Sequence, residues 1–224
     1  MNPRWALIFD FDGVIVDSEP MHEAGLRAGF ERVGMTLSAQ TNQQRLVGFA
    51  DRDAYKAVCA DFGRTPSDEE FAAISRDKWV FAQDAFARGK VPAFPGTLKL
   101  IKEATAAGVP IAICSGARRR EIEHITRALD IESLMKCIIS ADDVTQSKPN
   151  PEPYLRTVAA MGIAAANCVT IEDTDKGVAA AKAAGVRAVA VGHTLPASRL
   201  TQADRFFASS ADISLELLAS LAMG

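Results

Sequence analysis

LIFDFDGVIVDSEP, Leu7 to Pro20, carries an apolar run straight into acid. Leu7, Ile8 and Phe9 read as the end of a buried strand, and Asp10 and Asp12 then alternate with Phe11. On an extended backbone both carboxylates point to the same side. Two like charges that close need compensation, so the strand that ends here is expected to end at a working site.

Working outward, four more apolar runs share the β-branched character of WALIFD (5–10): PIAICS (110–115), KCIIS (136–140), CVTIED (168–173) and RAVAVG (187–192). Each is followed by turn signals and usually by a helical pattern. Ile122, Ile125 and Leu129 recur at helical spacing after the second run, and Leu155, Val158 and Met161 after the third. Strands that are apolar throughout and alternate with helices imply a parallel sheet covered on both faces, a doubly wound α/β layout.

Between Val16 and Pro92 no strand-like run occurs. Leu26, Phe30 and Val33 form one helical stripe, and Tyr55, Val58 and Phe62 form another. Ser67 with Glu70 makes a capping box ahead of Phe71 and Ile74. The expected organisation is an α/β core of residues 1–16 and 93–224 with an inserted all-helical domain of residues 17–92. The linkers fall near Asp17 to Glu19 and Lys90 to Phe94. Trp79 and Phe81 are expected to pack inside the insert.

Composition narrows the class. The chain has 224 residues, 48% hydrophobic and 24% charged, with net charge −3 and mean hydropathy +0.05, which suits a substantial globular core. No basic block suggests a nucleic-acid footprint. Trp5 to Phe9 is too short an apolar stretch for a secretory or membrane-spanning segment, so a cytoplasmic chain without membrane contact is expected. A monomer is favoured, although the sequence does not itself give the oligomeric state. Cys59, Cys114, Cys137 and Cys168 show no CxxC spacing and read as reduced core thiols.

In open parallel sheets ligands sit beyond the carboxyl ends of the strands. There stand Asp10 and Asp12, then Ser115-Gly116-Ala117, then Lys148 in SKPNPEP, then Glu172-Asp173. Four acidic side chains on one mouth call for a divalent cation, and hard oxygen ligands suit Mg²⁺. With Mg²⁺ and Lys148 supplying positive charge, Asp10 can attack phosphorus and form an aspartyl phosphate. Asp12 is then placed to protonate the leaving oxygen and to activate water. Ser115 with the Gly116 and Ala117 amides can bind phosphoryl oxygens.

These four pieces, in this order, resemble the motifs of the haloacid dehalogenase superfamily: DFDGVIVDSEP the first, Ser115 in ICSGA the second, Lys148 in SKPNPEPY the third, Glu172-Asp173 in IEDTDKG the fourth. The resemblance covers essentially the whole chain. It implies a Rossmann-like core with a helical cap, Asp10 as nucleophile and Asp12 as acid/base. Mg²⁺ would be ligated by Asp10, the Asp12 backbone carbonyl and Asp173, with Glu172 a ligand or a partner of one. Within the superfamily the chain looks most like the β-phosphoglucomutase-like and phosphoglycolate phosphatase-like branch, where His22 matches a histidine near the cap hinge. That implies a phosphatase acting on a small phosphorylated metabolite of sugar phosphate or phosphoglycolate type. The mutase pattern on the cap is replaced by VGFADR, with Val47, Ala50 and Asp51 where polar groups would fall, although Arg52 can substitute in a shifted alignment.

Plainer readings stand beside these. Ser115 can cap a helix, Lys148 can be a solvated loop lysine, and Glu172 can serve structural pairing. His22 can be a capping or surface histidine. Lys78 and Arg52 can reach substrate but are expected to be exposed. Of Arg118, Arg119 and Arg120, successive helical positions diverge by about 100°, so one or two face the site, Arg118 being the candidate. Cys114 is expected in the core, and His193 has no assigned role. Alternatives are a β-phosphoglucomutase-type isomerase and a receiver-type phosphoacceptor module, although CIIS and AICS carry no acceptor aspartate. A dehalogenase is disfavoured because Asp12 would have no leaving oxygen to protonate.

Overall fold

The computed structural model describes residues 4–37, 51–87 and 92–224. Six strands form one sheet: β1 (Ala6–Phe9), β2 (Ile111–Cys114), β3 (Met135–Ile139), β4 (Cys168–Glu172), β5 (Arg187–Val191) and β6 (Arg205–Phe207). Their order is β3-β2-β1-β4-β5-β6, and every pairing is parallel. The first five strands are the five apolar runs of the sequence. The sixth was not anticipated: it is three residues long, on the sheet edge, with Phe206 40% exposed.

Contacts divide the described chain into two compact units, residues 1–17 with 93–224, and residues 18–92. In the first, α4 (Pro95–Ala106), α5 (Arg119–Ala128), α6 (Glu152–Met161), α7 (Asp175–Ala183) and α8 (Leu215–Met223) connect and flank the strands. Residues of β1, β2 and β4 are buried throughout because helices cover both faces. One core cluster packs Ala180, Ala181 and Ala184 of the α7 segment against Ala188 and Ala190 of β5, with Tyr154 and Met161 of α6. Small side chains let α7 sit close to the sheet, and the large ones fill what remains. Leu155 departs from the expected stripe at 50% exposure. It lies six residues before Met161, about 600° of helical turn and thus about 120° around the axis.

The second unit contains α1 (Glu19–Arg32), α2 (Asp51–Asp61) and α3 (Asp68–Ala87). Its own core joins Leu26, Phe30, Tyr55, Val58, Phe71 and Ile74. The Tyr55 and Phe71 rings lie 5.7 Å apart, a spacing that favours tilted aromatic pairs. Phe62 is 44% exposed rather than part of this stripe, because α2 ends at Asp61. Ser67 Oγ accepts the Glu70 N–H (3.4 Å), but the reciprocal half of the expected capping box is absent: Ser67 N–H donates to Tyr55 Oη instead (2.9 Å). The Glu70 carboxylate turns to the Tyr55 hydroxyl and to Arg64. Trp79 is half-buried, and the Phe81 side chain lies outside the described residues.

Candidate active site

The site begins where β1 stops. Asp10 N–H still donates to Ile171 O at 3.0 Å, but the next residues fold back: Phe11 O accepts the N–H groups of Ile15 (2.8 Å) and Val16 (3.1 Å). Asp12 forms an isolated bridge with Val16, and Gly13 has φ +75°. Asp12, half-buried, is thus the bridge residue from which the tight turn of Gly13, Val14 and Ile15 departs. Gly13 is required twice there. Its φ is one that L side chains avoid, and a Cβ would collide with Asp173 Oδ2.

Lys148 ties the strand ends together. Its Nζ donates to Asp10 Oδ1 (2.9 Å), Cys114 O (2.9 Å) and Glu172 Oε1 (2.6 Å). An ammonium has three donors, and all three are used here, which the plainer alternative of a solvated loop lysine does not accommodate. Glu172 is fully buried and is also gripped by Tyr154, whose hydroxyl donates to Glu172 Oε1 at 2.6 Å and lies 3.1 Å from Thr170 Oγ1. The Tyr154 ring lies 5.1 Å from Lys148 Nζ, in cation–π range. Gly177 in the first turn of α7 leaves room for this carboxylate, because a Cβ there would overlap it.

Four acidic groups against one ammonium set the electrostatics. Burial raises Asp10 to about 7; Lys148 pulls it down, while Glu172 and Asp12 add to the rise. Burial, with Asp10 and Glu172 nearby, also holds Asp173 well above the usual carboxylate range. For Lys148 burial acts downward, but the carboxylates of Asp10 and Glu172 outweigh it and hold the ammonium well above its ordinary value. The Cys114 thiol is pushed up to about 12 by burial, as befits a core residue.

The donor set fits a hard divalent cation. Asp10, Glu172 and Asp173 each offer an oxygen within 4.8 Å of the others. Asp173 Oδ1 is buried without a hydrogen-bond partner, an arrangement that costs stability unless something binds there. Oxygen ligands without thiolate or imidazole suit Mg²⁺ rather than zinc.

The remaining candidates divide. Ser115 is buried and its Oγ accepts Ala117 N–H at 3.0 Å, so that amide is already engaged; Gly116 is exposed. Arg118 precedes α5, half-buried, while Arg119 is spent on Ile138 O (2.9 Å) and Asp143 (2.6 Å). Lys78 is corrected from exposed to 4% exposed, held by both oxygens of Asp51 at 2.7 and 2.8 Å. Arg52 is exposed, as expected, and pairs with Asp68 above the Phe71 ring. His22 lies in α1 with its side chain outside the described residues, as do Val47 and Ala50 entirely.

Tyr154, Gly177 and Thr194, which hydrogen-bonds Asp173, were not singled out by sequence reasoning. Tyr154 closes SKPNPEPY and Gly177 closes IEDTDKG, so the signal was their place within the stretch that carries a site residue. No helix among the described residues is long and apolar enough to cross a membrane.

A family model described as haloacid dehalogenase-like hydrolase matches residues 7–191. The protein CbbY of Rhodobacter capsulatus is 30% identical over 209 residues, 91% of this chain and 90% of the relative. Phosphonoacetaldehyde hydrolase of Bordetella pertussis is 29% identical over 194 residues, 81% of this chain and 70% of the relative. CbbY from Rhodobacter sphaeroides, crystallised with xylulose-(1,5)bisphosphate, superposes with a TM-score of 0.86 at 24% identity, covering 95% of this chain and 98% of that one. At that identity the likeness speaks for the fold.

Proposed function

Since this chain belongs to the haloacid dehalogenase-like hydrolases and is an enzyme of phosphatase type, we propose that it is a Mg²⁺-dependent phosphatase for a small phosphorylated metabolite. The substrate is a phosphate monoester of sugar phosphate or phosphoglycolate type, and the reaction runs through an aspartyl phosphate on Asp10. The observation that carries this is the buried triad of Asp10, Glu172 and Asp173 with Lys148 inside it and one Asp173 oxygen unpartnered.

Asp10 attacks phosphorus and Asp12 passes a proton to the departing alkoxide, so the ester oxygen leaves as an alcohol. Asp12, now ionised, takes a proton from water, which attacks the acyl phosphate and frees Asp10 and inorganic phosphate. Lys148 keeps Asp10 oriented through both steps and offsets its charge. Ser115 Oγ and the Gly116 and Ala117 amides bind the non-bridging oxygens, for which Ala117 N–H must turn from Ser115 to the phosphoryl group. When bound, Mg²⁺ would keep Asp10 ionised and offset the phosphoryl charge, held by Asp10, Asp173 and the Asp12 carbonyl, with Glu172 beside them.

The helical insert, residues 17–92, is assigned the part of a cap that sets selectivity. The two cap cations considered for a distal phosphate are engaged within their own unit, Lys78 with Asp51 and Arg52 with Asp68. That favours hydrolysis of a single phosphate over mutase action on a bisphosphate.

The test is a screen of phosphorylated metabolites with and without EDTA. Mg²⁺-dependent phosphate release that Asp10→Asn abolishes, with the fold kept, is expected. Release that survives in Asp10→Asn would remove the nucleophile assignment. Conversion of glucose 1-phosphate to glucose 6-phosphate without phosphate release would replace hydrolysis by isomerisation.

A further inference from the structure

The turn that follows Asp12 is fastened one carbonyl after another. Gly13 O meets His193 Nδ1 at 2.8 Å, Val14 O accepts the Thr97 hydroxyl at 2.7 Å, and Ile15 O accepts Phe94 N–H at 2.9 Å. Thr97 and Phe94 belong to the segment where the chain re-enters the core after the insert. His193 is different, since it comes from the loop after β5.

The second ring nitrogen fixes the protonation pattern. His193 Nε2 accepts the Ser210 N–H at 3.2 Å, so it carries a lone pair and the ring proton of the neutral imidazole stands on Nδ1. That proton is donated to Gly13 O. The ring also stacks on Phe94, with centroids 3.8 Å apart and planes within 13°. One side chain thus fastens the residue next to Asp12, the first aromatic residue after the insert, and the loop at Ser210.

We propose that His193 is a positioning residue for Asp12: by donating from Nδ1 to Gly13 O while its ring backs Phe94, it fixes the peptide directly after Asp12 and with it the direction of the Asp12 side chain. The role rests on the phosphatase reading above and deepens it. Asp12 must reach the departing oxygen and then a water, and a displacement of about 1 Å at such a group costs up to roughly a hundredfold in rate. His193 touches no reacting atom in this scheme, so its effect belongs to kcat rather than to affinity.

The experiment compares His193→Ala, His193→Asn and His193→Gln on p-nitrophenyl phosphate with Mg²⁺. Asparagine places an amide N–H near the position of Nδ1, whereas glutamine places its amide near Nε2. All three lose the ring on Phe94, so the difference among them reads the hydrogen bonds. The alanine and glutamine variants should lose roughly tenfold to a hundredfold in kcat with KM little changed, and asparagine should recover most of that loss. Equal losses in all three, or a change confined to KM, would overturn the proposal.

A second arm needs no turnover and no variant. Nitrogen-15 spectra of the wild-type protein should show His193 protonated on Nδ1 and bare on Nε2, and the opposite tautomer would overturn the proposal even if the variants failed to fold. If the wild-type chain releases no phosphate from this ester or from the metabolite screen, the phosphatase reading falls, and the spectrum still decides whether His193 anchors Gly13.

Discussion

Replacing Tyr154 by Phe isolates one hydrogen bond at the centre of the site. The change removes a hydroxyl that donates to Glu172 Oε1 at 2.6 Å and lies 3.1 Å from Thr170 Oγ1, while the ring 5.1 Å from Lys148 stays in place. A hydrogen bond to a charged acceptor contributes about 1.5–3 kcal/mol, and leaving the buried Thr170 hydroxyl short of a partner adds about 1 kcal/mol. Since no cavity beyond one oxygen forms, the expected loss is about 3 kcal/mol. For a domain of this size that lowers Tm by about 6–12 °C. The assays are thermal unfolding and phosphate release. In unfolding, a second comparison places Tyr154→Phe in a Glu172→Gln background, where the two changes should couple by about 1 kcal/mol. In turnover, Glu172 held less firmly lets Lys148 drift, and kcat should fall by roughly tenfold. An unchanged Tm together with strictly additive effects in the double variant would refute the idea that Tyr154 holds Glu172.

Three further outcomes are expected. Saturating Mg²⁺, at about a hundred times its dissociation constant, should stabilise the protein by about 2.7 kcal/mol over the EDTA-treated form. The gain should grow as pH rises through about 7, since Asp10 must lose its proton to bind; equal melting with and without Mg²⁺ at alkaline pH would exclude the metal site. Gly177→Ala should destabilise by about 1–3 kcal/mol despite the better helix propensity of alanine, because its Cβ would strike a Glu172 carboxylate pinned by Lys148 and Tyr154. A more stable variant would show that Glu172 can move. Asp204 accepts Ala188 N–H (2.8 Å) and pairs with Lys182 (2.7 Å); burial acts upward on its carboxyl, but these bonds hold it below the ordinary 3.8. Its stabilisation is therefore present above pH 3.8 and lost as pH falls through the lower folded value, so Asp204→Asn should flatten the acid limb in urea titrations.

Much of the fold was legible because β1 to β5 are apolar runs closed by turn residues, a pattern that buried parallel strands such as β1, β2 and β4 require and that the half-buried edge strand β3 still keeps. β6 was not, since Arg205, Phe206 and Phe207 on an edge are too few and too exposed to show a period. Asp10, Lys148, Glu172 and Asp173 could be placed on one mouth because each closes a strand or follows one. Their mutual bonds could not: that Lys148 would spend every donor within the site depends on how the loop after β3 folds back. The reversal directly after Asp12 was hidden as well, because Gly13 at φ +75° turns the chain where Val14, Ile15 and Val16 read as a continuing apolar run. Lys78 was placed in solvent by the ordinary preference of lysine, whereas Asp51, 27 residues earlier, pairs with it inside the helical unit.

Strand order explains why so few residues suffice. With β1 between β2 and β4, Asp10 has Cys114 O on one side and Glu172 on the other. A single ammonium entering from beyond β3 can reach all three at once. Had β4 been placed at the edge, beyond both β5 and β6, Glu172 would lie two strand spacings further away, about 10 Å, and Lys148 could not bridge it to Asp10. The bridge in turn restrains Asp10 against the repulsion of its acidic neighbours. Neutralising Lys148 with Met should therefore free Asp10 from Glu172, which Tyr154 still holds, and crystals of that variant should show the Asp10 to Glu172 separation widened. An unchanged separation would mean that the sheet alone, rather than the ammonium, holds the two acids together.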